Sequence, residues 1–348
     1  MALFGTGEIA PRHAKAIAAT DGLSLRAVVS RSLDRASRLA ERFGAAALTR
    51  ADEALARPDV GAIAVVTEHD RHLPLLEAAA AAGRHVVVEK PIGCDVPATR
   101  RALDACDAAG VTVACVFQRR FEPALVAVRD AVESGRAGRP IGVELSMVWR
   151  RDAAYFESAW RGDPDRAGGG VMMMQAIHFV DAARWLLGEI AEVSGATGRA
   201  RGLADVEDVA AAAMRFDNGA VGSLFATTAA AGALRNRAAF HFERGSVVLE
   251  AGHVLSSSIP ADGNRPAPAR SSRGGWRHRL ARRLPWRLVP REAGPKGTFR
   301  DVYRDFVAAV RDGRPPRSSG RDALRSVEAV QALYRAAHGH PTNRNSGF

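Results

Sequence analysis

Cysteine is scarce: Cys94, Cys106 and Cys115 are the only three in 348 residues. They show neither CxxC pairing nor metal-ligand spacing, which argues against a disulfide framework and a structural zinc site, so no metal is expected. Long apolar runs are also missing. No stretch approaches the roughly 18 consecutive apolar residues a membrane helix needs. The N-terminus, MALFGTGEIAPRH, lacks a charged start followed by an apolar run and a small-residue cleavage site. No transmembrane segment is expected, and the expected location is cytoplasmic. Lysine is rare as well: of 49 basic residues only Lys15, Lys90 and Lys296 are Lys. Arginine cannot give up a proton near neutral pH, whereas lysine can. A rare lysine therefore draws attention to places where proton transfer matters.

What is present is ordinary for a soluble globular protein. Hydrophobic residues make up 47% and charged residues 25%, and the length suits two domains. The net charge of +11 is unevenly placed. Between Arg265 and Arg300 stand ten Arg and one Lys against a single acid, Glu292, so the rest of the chain is nearly neutral. A solvated basic loop at about 256–297 accounts for this. An acidic partner, such as a membrane surface or a nucleotide-linked substrate, is the sharper alternative. No helix-turn-helix, zinc-finger or RNP pattern accompanies the charge, so no specific nucleic-acid partner is expected.

The first half alternates apolar runs with helical patterns, as βαβ units do. Strands are expected at 2–4, 25–29, 62–66, 85–88 and 111–117, with helices at 11–20, 33–43, 71–82 and 96–109. Continuous Val, Ile and Ala runs indicate strands covered on both faces, hence a doubly wound parallel sheet in a dinucleotide-binding domain over residues 1–119. After about residue 120 the period changes. Ile141, Val143, Leu145, Met147 and Trp149 alternate onto one face, the pattern of a half-buried antiparallel strand. Asp217-Asn218-Gly219 and Arg244-Gly245 mark two hairpins, and residues 299–338 carry two helical patterns. Residues 120–348 thus read as an α+β domain with an open, mainly antiparallel sheet.

Four segments carry chemistry. Gly5-Thr6-Gly7-Glu8-Ile9-Ala10 is G-x-G-x-x-A between a strand and a helix, where glycines let a pyrophosphate approach the helix N-terminus. The strand before it is short: either the domain manages with a stub or a start codon lies upstream. The second strand ends at Ser30 and Arg31 with Arg35 nearby and no carboxylate. That favours a 2′-phosphate, NADP over NAD. Glu89-Lys90-Pro91 emerges at the carboxyl end of a buried strand, where open α/β sheets bind ligands. Gly168-Gly169-Gly170 precedes a helix carrying His178; alone, such a histidine is more often a satisfied core residue, and Met172–Met174 would be core filler.

Together these segments resemble the Gfo/Idh/MocA oxidoreductase family over almost the whole chain. The matching pieces are GTGEIA, Thr67 with His72, EKP at 89–91, Trp160-Arg161 before Asp163-Pro164, the GGG…H…D run at 168–181, and DFVAAVRDGRPP. The resemblance implies a Rossmann domain binding NADP or NAD and a second domain for substrate and homo-oligomerisation through its sheet. It also implies hydride transfer at a carbon of a sugar, cyclitol or related polyol. By that similarity Lys90 and His178 are the acid/base pair, and both, with Met174 and Gln175, face substrate. Thr67, His72, Glu89, Trp160 and Arg161 approach the cofactor, as do Gly5, Thr6, Gly7, Glu8 and Ile9. Three departures stand out. Met174 occupies the position four residues before the histidine where relatives carry Asp or Asn, with Gln175 rotated about 100° away on an α-helix. Glu68 follows Thr67 where Pro is common, and Thr298 stands where many relatives carry His. Met174 favours one alternative, a catalytically silent cofactor-binding sensor or regulatory relative; an NAD-dependent glycoside-cleaving enzyme is a further alternative.

Overall fold

The computed structural model of the chain describes residues 1–231, 236–260 and 298–339. Six short strands, β1 (Ala2–Phe4), β2 (Ala27–Val29), β3 (Ala46–Leu48), β4 (Ala62–Val65), β5 (His85–Val88) and β6 (Val113–Cys115), form a sheet in the order β3-β2-β1-β4-β5-β6. Every neighbouring pair is parallel. This is the doubly wound Rossmann order, which reverses direction between β1 and β4. The three-residue β1 suffices because it pairs on both sides, with β2 and β4.

Successive residues of each strand feed opposite faces. Leu3, Val28, Ala64, Val87 and Ala114 pack into one core; Phe4, Ile63, Val65, Val86 and Val88 pack into the other. Side-chain caps start two of the covering helices. Ser32 accepts from Arg35 N ahead of Leu33–Ala40, and Asp95 accepts from Ala98 N ahead of Val96–Ala108. The edge strand β3 and the helix Ala51–Ala56 have no counterpart in the sequence expectations; β3 is half-exposed and carries little apolar signal.

The second sheet comprises β7 (Pro140–Val148), β8 (Ile190–Gly198), β9 (Val209–Phe216), β10 (Val221–Thr227), β11 (Arg237–Phe242), β12 (Gly245–Glu250) and β13 (His253–Ser257), ordered β13-β12-β11-β7-β10-β9-β8. Both expected hairpins form, β9–β10 and β11–β12. One expectation is corrected. β7 pairs antiparallel with β11 but parallel with β10, because alternation reports one buried face and says nothing of direction. Val143, Leu145 and Met147 are buried as the alternation requires, whereas Ile141 lies exposed at the strand end.

The C-terminal helices close back onto the first sheet. Thr298–Asp312 packs on the helix Ala10–Ala18, and its Val302, Tyr303 and Phe306 enter the first core. Gly320–Gly339 packs on β8 and on the helices Ile177–Leu187 and Val96–Ala108, placing Leu324, Val327, Val330 and Leu333 in the second core. Most of the basic segment, residues 261–297, lies outside the described residues. Among the described residues no helix is long and apolar enough to cross a membrane.

Candidate active site

A cleft of about 1090 Å³ opens at the carboxyl ends of the parallel strands, at the point where the strand order reverses. Its floor is the glycine turn. Gly5 sits at φ +112°, and a Cβ there would stand 2.7 Å from the Val66 carbonyl oxygen, so only glycine fits. A Cβ at Gly7 would meet nothing within 4 Å, leaving open space above the turn. The helix Ala10–Ala18 that follows has no side-chain cap at Ile9. The Ala10 N–H donates to Gly7 O and the Arg12 N–H to Ile9 O, both at 3.0 Å, and Pro11 has no N–H, so it is the turn ahead of the helix that faces a ligand, at the positive end of the helix dipole, which suits a pyrophosphate. Thr6 Oγ1 and Ser30 Oγ lie 2.9 Å apart, tying the turn to the end of β2. Arg31 and Arg35 line the same end, and Arg31 pairs with Glu68 at 2.8 Å while staying mostly in solvent.

Lys90 follows β5, and its Nζ donates to the Met174 carbonyl at 2.5 Å. Burial pulls the ammonium below its ordinary value; Glu89 opposes this and Arg151 adds to it. The Glu89 carboxylate lies 2.9 Å from His13 Nε2, and His13 Nδ1 lies 2.7 Å from the Tyr303 hydroxyl. Burial would raise the Glu89 carboxyl, but the His13 contact and the Lys90 charge outweigh it and the group lies below its usual value.

His178 reaches the cleft on a segment shaped by close packing. A Cβ on Gly169 would stand 2.2 Å from the Tyr334 hydroxyl, and one on Gly170 would stand 1.9 Å from the Glu207 carbonyl oxygen. The Glu207 carboxylate then accepts from the N–H groups of Gly170 and Met172 at 2.7 and 3.0 Å, and from Tyr334 at 2.8 Å. The chain continues as a π-helical turn, Met172–Ala176, before the α-helix Ile177–Leu187. Such turns are rare and frequent at functional sites. The wide turn corrects the α-helical spacing assumed above: Met174, Gln175 and His178 all line the cleft, and Gln175 Nε2 donates to the Tyr155 hydroxyl at 2.9 Å. Behind His178, Asp181 is clamped by Arg120 at 2.6 and 2.8 Å, both buried, with Ser326 donating at 3.0 Å. Arg120 also pairs with Asp322 on the last helix.

The His178 ring meets Phe117 edge-on at 5.8 Å. Burial, then the charges of Lys90 and Arg119, hold its imidazole well below the usual range. Among the described residues its Nδ1 is buried without a hydrogen-bond partner. Met174 offers no carboxylate or amide that could supply one. Thr67 Oγ1, Gln118 Oε1, Arg151 Nε and Ser158 Oγ are also buried and unpartnered, and all four residues line this cleft. Orphaned buried polar atoms gathered on one surface indicate a place built to receive a polar ligand.

Most of the residues singled out from the sequence line this one cleft, Glu8, Trp160 and Arg161 included. Trp160 stacks edge-on to His69 at 4.6 Å, and Arg161 lies 3.8 Å from Glu8 and over Tyr155. His72 is the exception. Its ring is fully buried away from the cleft, contacting the carbonyls of Pro91 at 2.8 Å and Thr67 at 3.3 Å. It therefore fixes the backbone on both sides of the site instead of lining it. Sequence reasoning missed Gln118, Trp149, Arg151, Tyr155 and His69. A signal existed for two of them: the alternation that buries Leu145 and Met147 continues past β7 and brings Trp149 and Arg151 to the cleft wall.

Comparison with known proteins agrees with this geometry. Residues 1–117 match a family model described as an oxidoreductase family NAD-binding Rossmann fold, and residues 125–248 match the GFO/IDH/MocA C-terminal domain. The chain is 27% identical to D-apiose dehydrogenase of Paraburkholderia graminis, over 97% of this chain and 87% of that protein. It is 28% identical to inositol 2-dehydrogenase of Rhizobium meliloti, over 96% and 95%. The crystal structure of the WlbA dehydrogenase from Bordetella pertussis, in complex with NADH and UDP-GlcNAcA, superposes with a TM-score of 0.82 at 27% identity, covering 97% of this chain and 95% of that one. The chain belongs to the Gfo/Idh/MocA family of oxidoreductases.

Proposed function

We propose that this enzyme transfers a hydride between NADP(H), in preference to NAD(H), and a secondary hydroxyl or keto carbon of a sugar, cyclitol or related polyol. The observation that carries this is the meeting of Lys90, from the end of β5, and His178, from the second half of the chain, in the cleft that contains the glycine turn. The relatives named for D-apiose and inositol support the polyol class. The glycine turn at the head of the helix would hold the pyrophosphate, with Ser30, Arg31 and Arg35 at the adenosine ribose. Glu89, Thr67, Trp160 and Arg161 would border the nicotinamide half. When bound, the nicotinamide supplies the hydride acceptor or donor.

The protein's own task is the proton. His178, neutral in this setting, accepts it from the substrate hydroxyl. The Lys90 ammonium, fixed on the Met174 carbonyl, stabilises the negative charge that develops on the substrate oxygen. Mixing the protein with NADPH or NADP+ and a panel of sugars and cyclitols, and following 340 nm absorbance, tests the assignment. Turnover is expected, and cofactor binding with no turnover on any member would shift it to a silent cofactor-binding relative. The unpartnered Nδ1 of His178 is the observation that favours that second reading.

The pH profile follows from the direction of the His178 shift. Oxidation needs the unprotonated ring, and a lowered pKa keeps the ring unprotonated further into acid. The kcat/KM for oxidation should thus hold at pH 6 and fall only below it, whereas an ordinary imidazole would be mostly protonated there. A midpoint at or above pH 6.5 would remove His178 as the base.

The absence of a carboxylate at the end of β2 supports NADP(H). Fluorescence titration should give a lower Kd for NADPH than for NADH. Ser30→Asp, which places a carboxylate where the ribose 2′-oxygen is read, should reverse that order by about tenfold or more. Tighter NADH binding by the unaltered chain would refute the preference.

We also propose self-association through the outer face of the second sheet. Val221 and Phe225 stand 55% and 45% exposed on β10, with Ala211 and Ala213 on the same face of β9. Phe225→Glu should lower the mass measured by light scattering to that of one chain, and a single-chain mass before substitution would contradict the proposal.

A further inference from the structure

Among the described residues, one cation at the substrate end of the cleft is paired with no carboxylate. Arg151 is pinned through its backbone, its N–H donating to Thr228 O at 2.8 Å and its carbonyl accepting from Arg201 at 2.7 Å. Its guanidinium lies between two aromatic rings, 4.8 Å from the Tyr155 centroid and 5.3 Å from that of Trp149. Those contacts set the plane of the fork. Yet its Nε is buried without a hydrogen-bond partner, and among the described residues no carboxylate forms an ion pair with it. The acids that line the cleft, Glu8, Glu68 and Glu89, all belong to the first sheet's loops and face Arg161, Arg31 and Arg166, and His13 respectively. Lys90 lines the same cleft with Glu89 as an opposing charge beside it, whereas Arg151 has no such partner among the described residues.

We infer that the substrate is an acidic sugar, a uronate or aldonate, whose carboxylate is received by the Arg151 guanidinium while its reacting hydroxyl meets Lys90 and His178. A planar guanidinium fork matches a carboxylate bidentately, and a bound anion would satisfy the orphaned N–H. Arg151 and Lys90 line the same cleft, so one sugar that carries both the carboxylate and the reacting hydroxyl is the simplest ligand to engage both. This inference rests on the dehydrogenase reading for the polyol part of the ligand and adds the carboxylate to it.

The test is calorimetric titration of the full chain, loaded with NADPH, with matched pairs: D-glucuronate against D-glucose and D-galacturonate against D-galactose, with D-glucose 6-phosphate as a further arm. Each acid is expected to bind at least tenfold more tightly than its neutral partner. Arg151→Gln should remove that ratio, and Arg150→Gln, at the exposed neighbouring position, should keep it. Equal affinity within the pairs, no binding of either uronate, or a ratio that survives Arg151→Gln would overturn the proposal. Tighter binding of the sugar phosphate than of either uronate would overturn the carboxylate assignment. Oxidation of neutral sugars without acid preference sinks this inference and leaves the dehydrogenase intact. Acid-selective binding with no absorbance change at 340 nm does the reverse.

Discussion

Lys90→Ala should lower kcat by a thousandfold or more and leave the Kd for NADPH within about threefold of the unaltered protein. The size of the loss follows from what the side chain does alone. Lys90 stands half-buried at the end of β5, with its ammonium directed at the Met174 carbonyl on the opposite wall. Among the described residues no other lysine lines the cleft. Removing the ammonium would leave the developing oxyanion with no donor on that side. The pyrophosphate cradle at Gly5–Ile9 is formed by different backbone and would persist. Lys90→Arg separates two roles. It keeps a positive charge but cannot release a proton near neutral pH, so partial recovery would mark charge stabilisation as the main effect, and none would mark proton exchange or strict geometry. Stopped-flow turnover and cofactor fluorescence measure the two quantities on the same samples. Full activity in Lys90→Ala would take this residue out of the chemistry.

Asp181→Ala should be the most destabilising single change in the protein's second half. Its carboxylate is wholly buried, bound by the Arg120 guanidinium and by Ser326. Truncation leaves a buried guanidinium facing Asp322 alone, at a cost of about 3–5 kcal/mol. For a chain of this size that is a fall in Tm on the order of 10 °C. Replacing both partners with apolar residues, as in the pair Arg120→Met and Asp181→Leu, should cost less, because neither charge is left unpaired. The clamp joins three segments: the exit of the first sheet, the helix bearing His178 and the last helix. Its loss should therefore also loosen the His178 helix. Differential scanning calorimetry of the single and double variants measures this. A fall of under 2 °C for Asp181→Ala would show that the ion pair is dispensable.

The parallel sheet was legible because its strands are short, fully covered runs of Val, Ile and Ala separated by caps and turns. Burial on both faces leaves little else such runs could be. Lys90 was legible from its position, since a charged residue straight after a buried parallel strand lies where such sheets bind ligands. His178 needed the resemblance: nothing in its own helix separates it from a core histidine. What stayed hidden has physical reasons. β8 carries Gly195, Gly198, Ala191 and Ser194 and is mostly half-exposed, so no apolar alternation announces it. The parallel partner of β7 could not be read from a pattern that encodes only which face is buried. The π-turn at Met172–Ala176 depends on Glu207 and Tyr334, far along the chain, and the run of methionines reads equally well as an α-helix. His72 sits one turn of chain from cleft residues, yet its ring turns inward to satisfy backbone carbonyls.

Arg151 illustrates the same limit. Its neighbour Arg150 is exposed and solvated, and composition alone does not tell the two apart. Strand parity does, once β7 is followed beyond its last ladder pair, and the unpartnered Nε then gives the position its meaning.

A crystal structure of the chain bound to NADP+ bears most directly on the central assignment. The nicotinamide ring is expected to lie with its C4 carbon facing the space shared by Lys90 Nζ and the His178 imidazole, with its pyrophosphate over Gly5–Ile9. A ring turned away from that space, or a dinucleotide bound elsewhere, would contradict it.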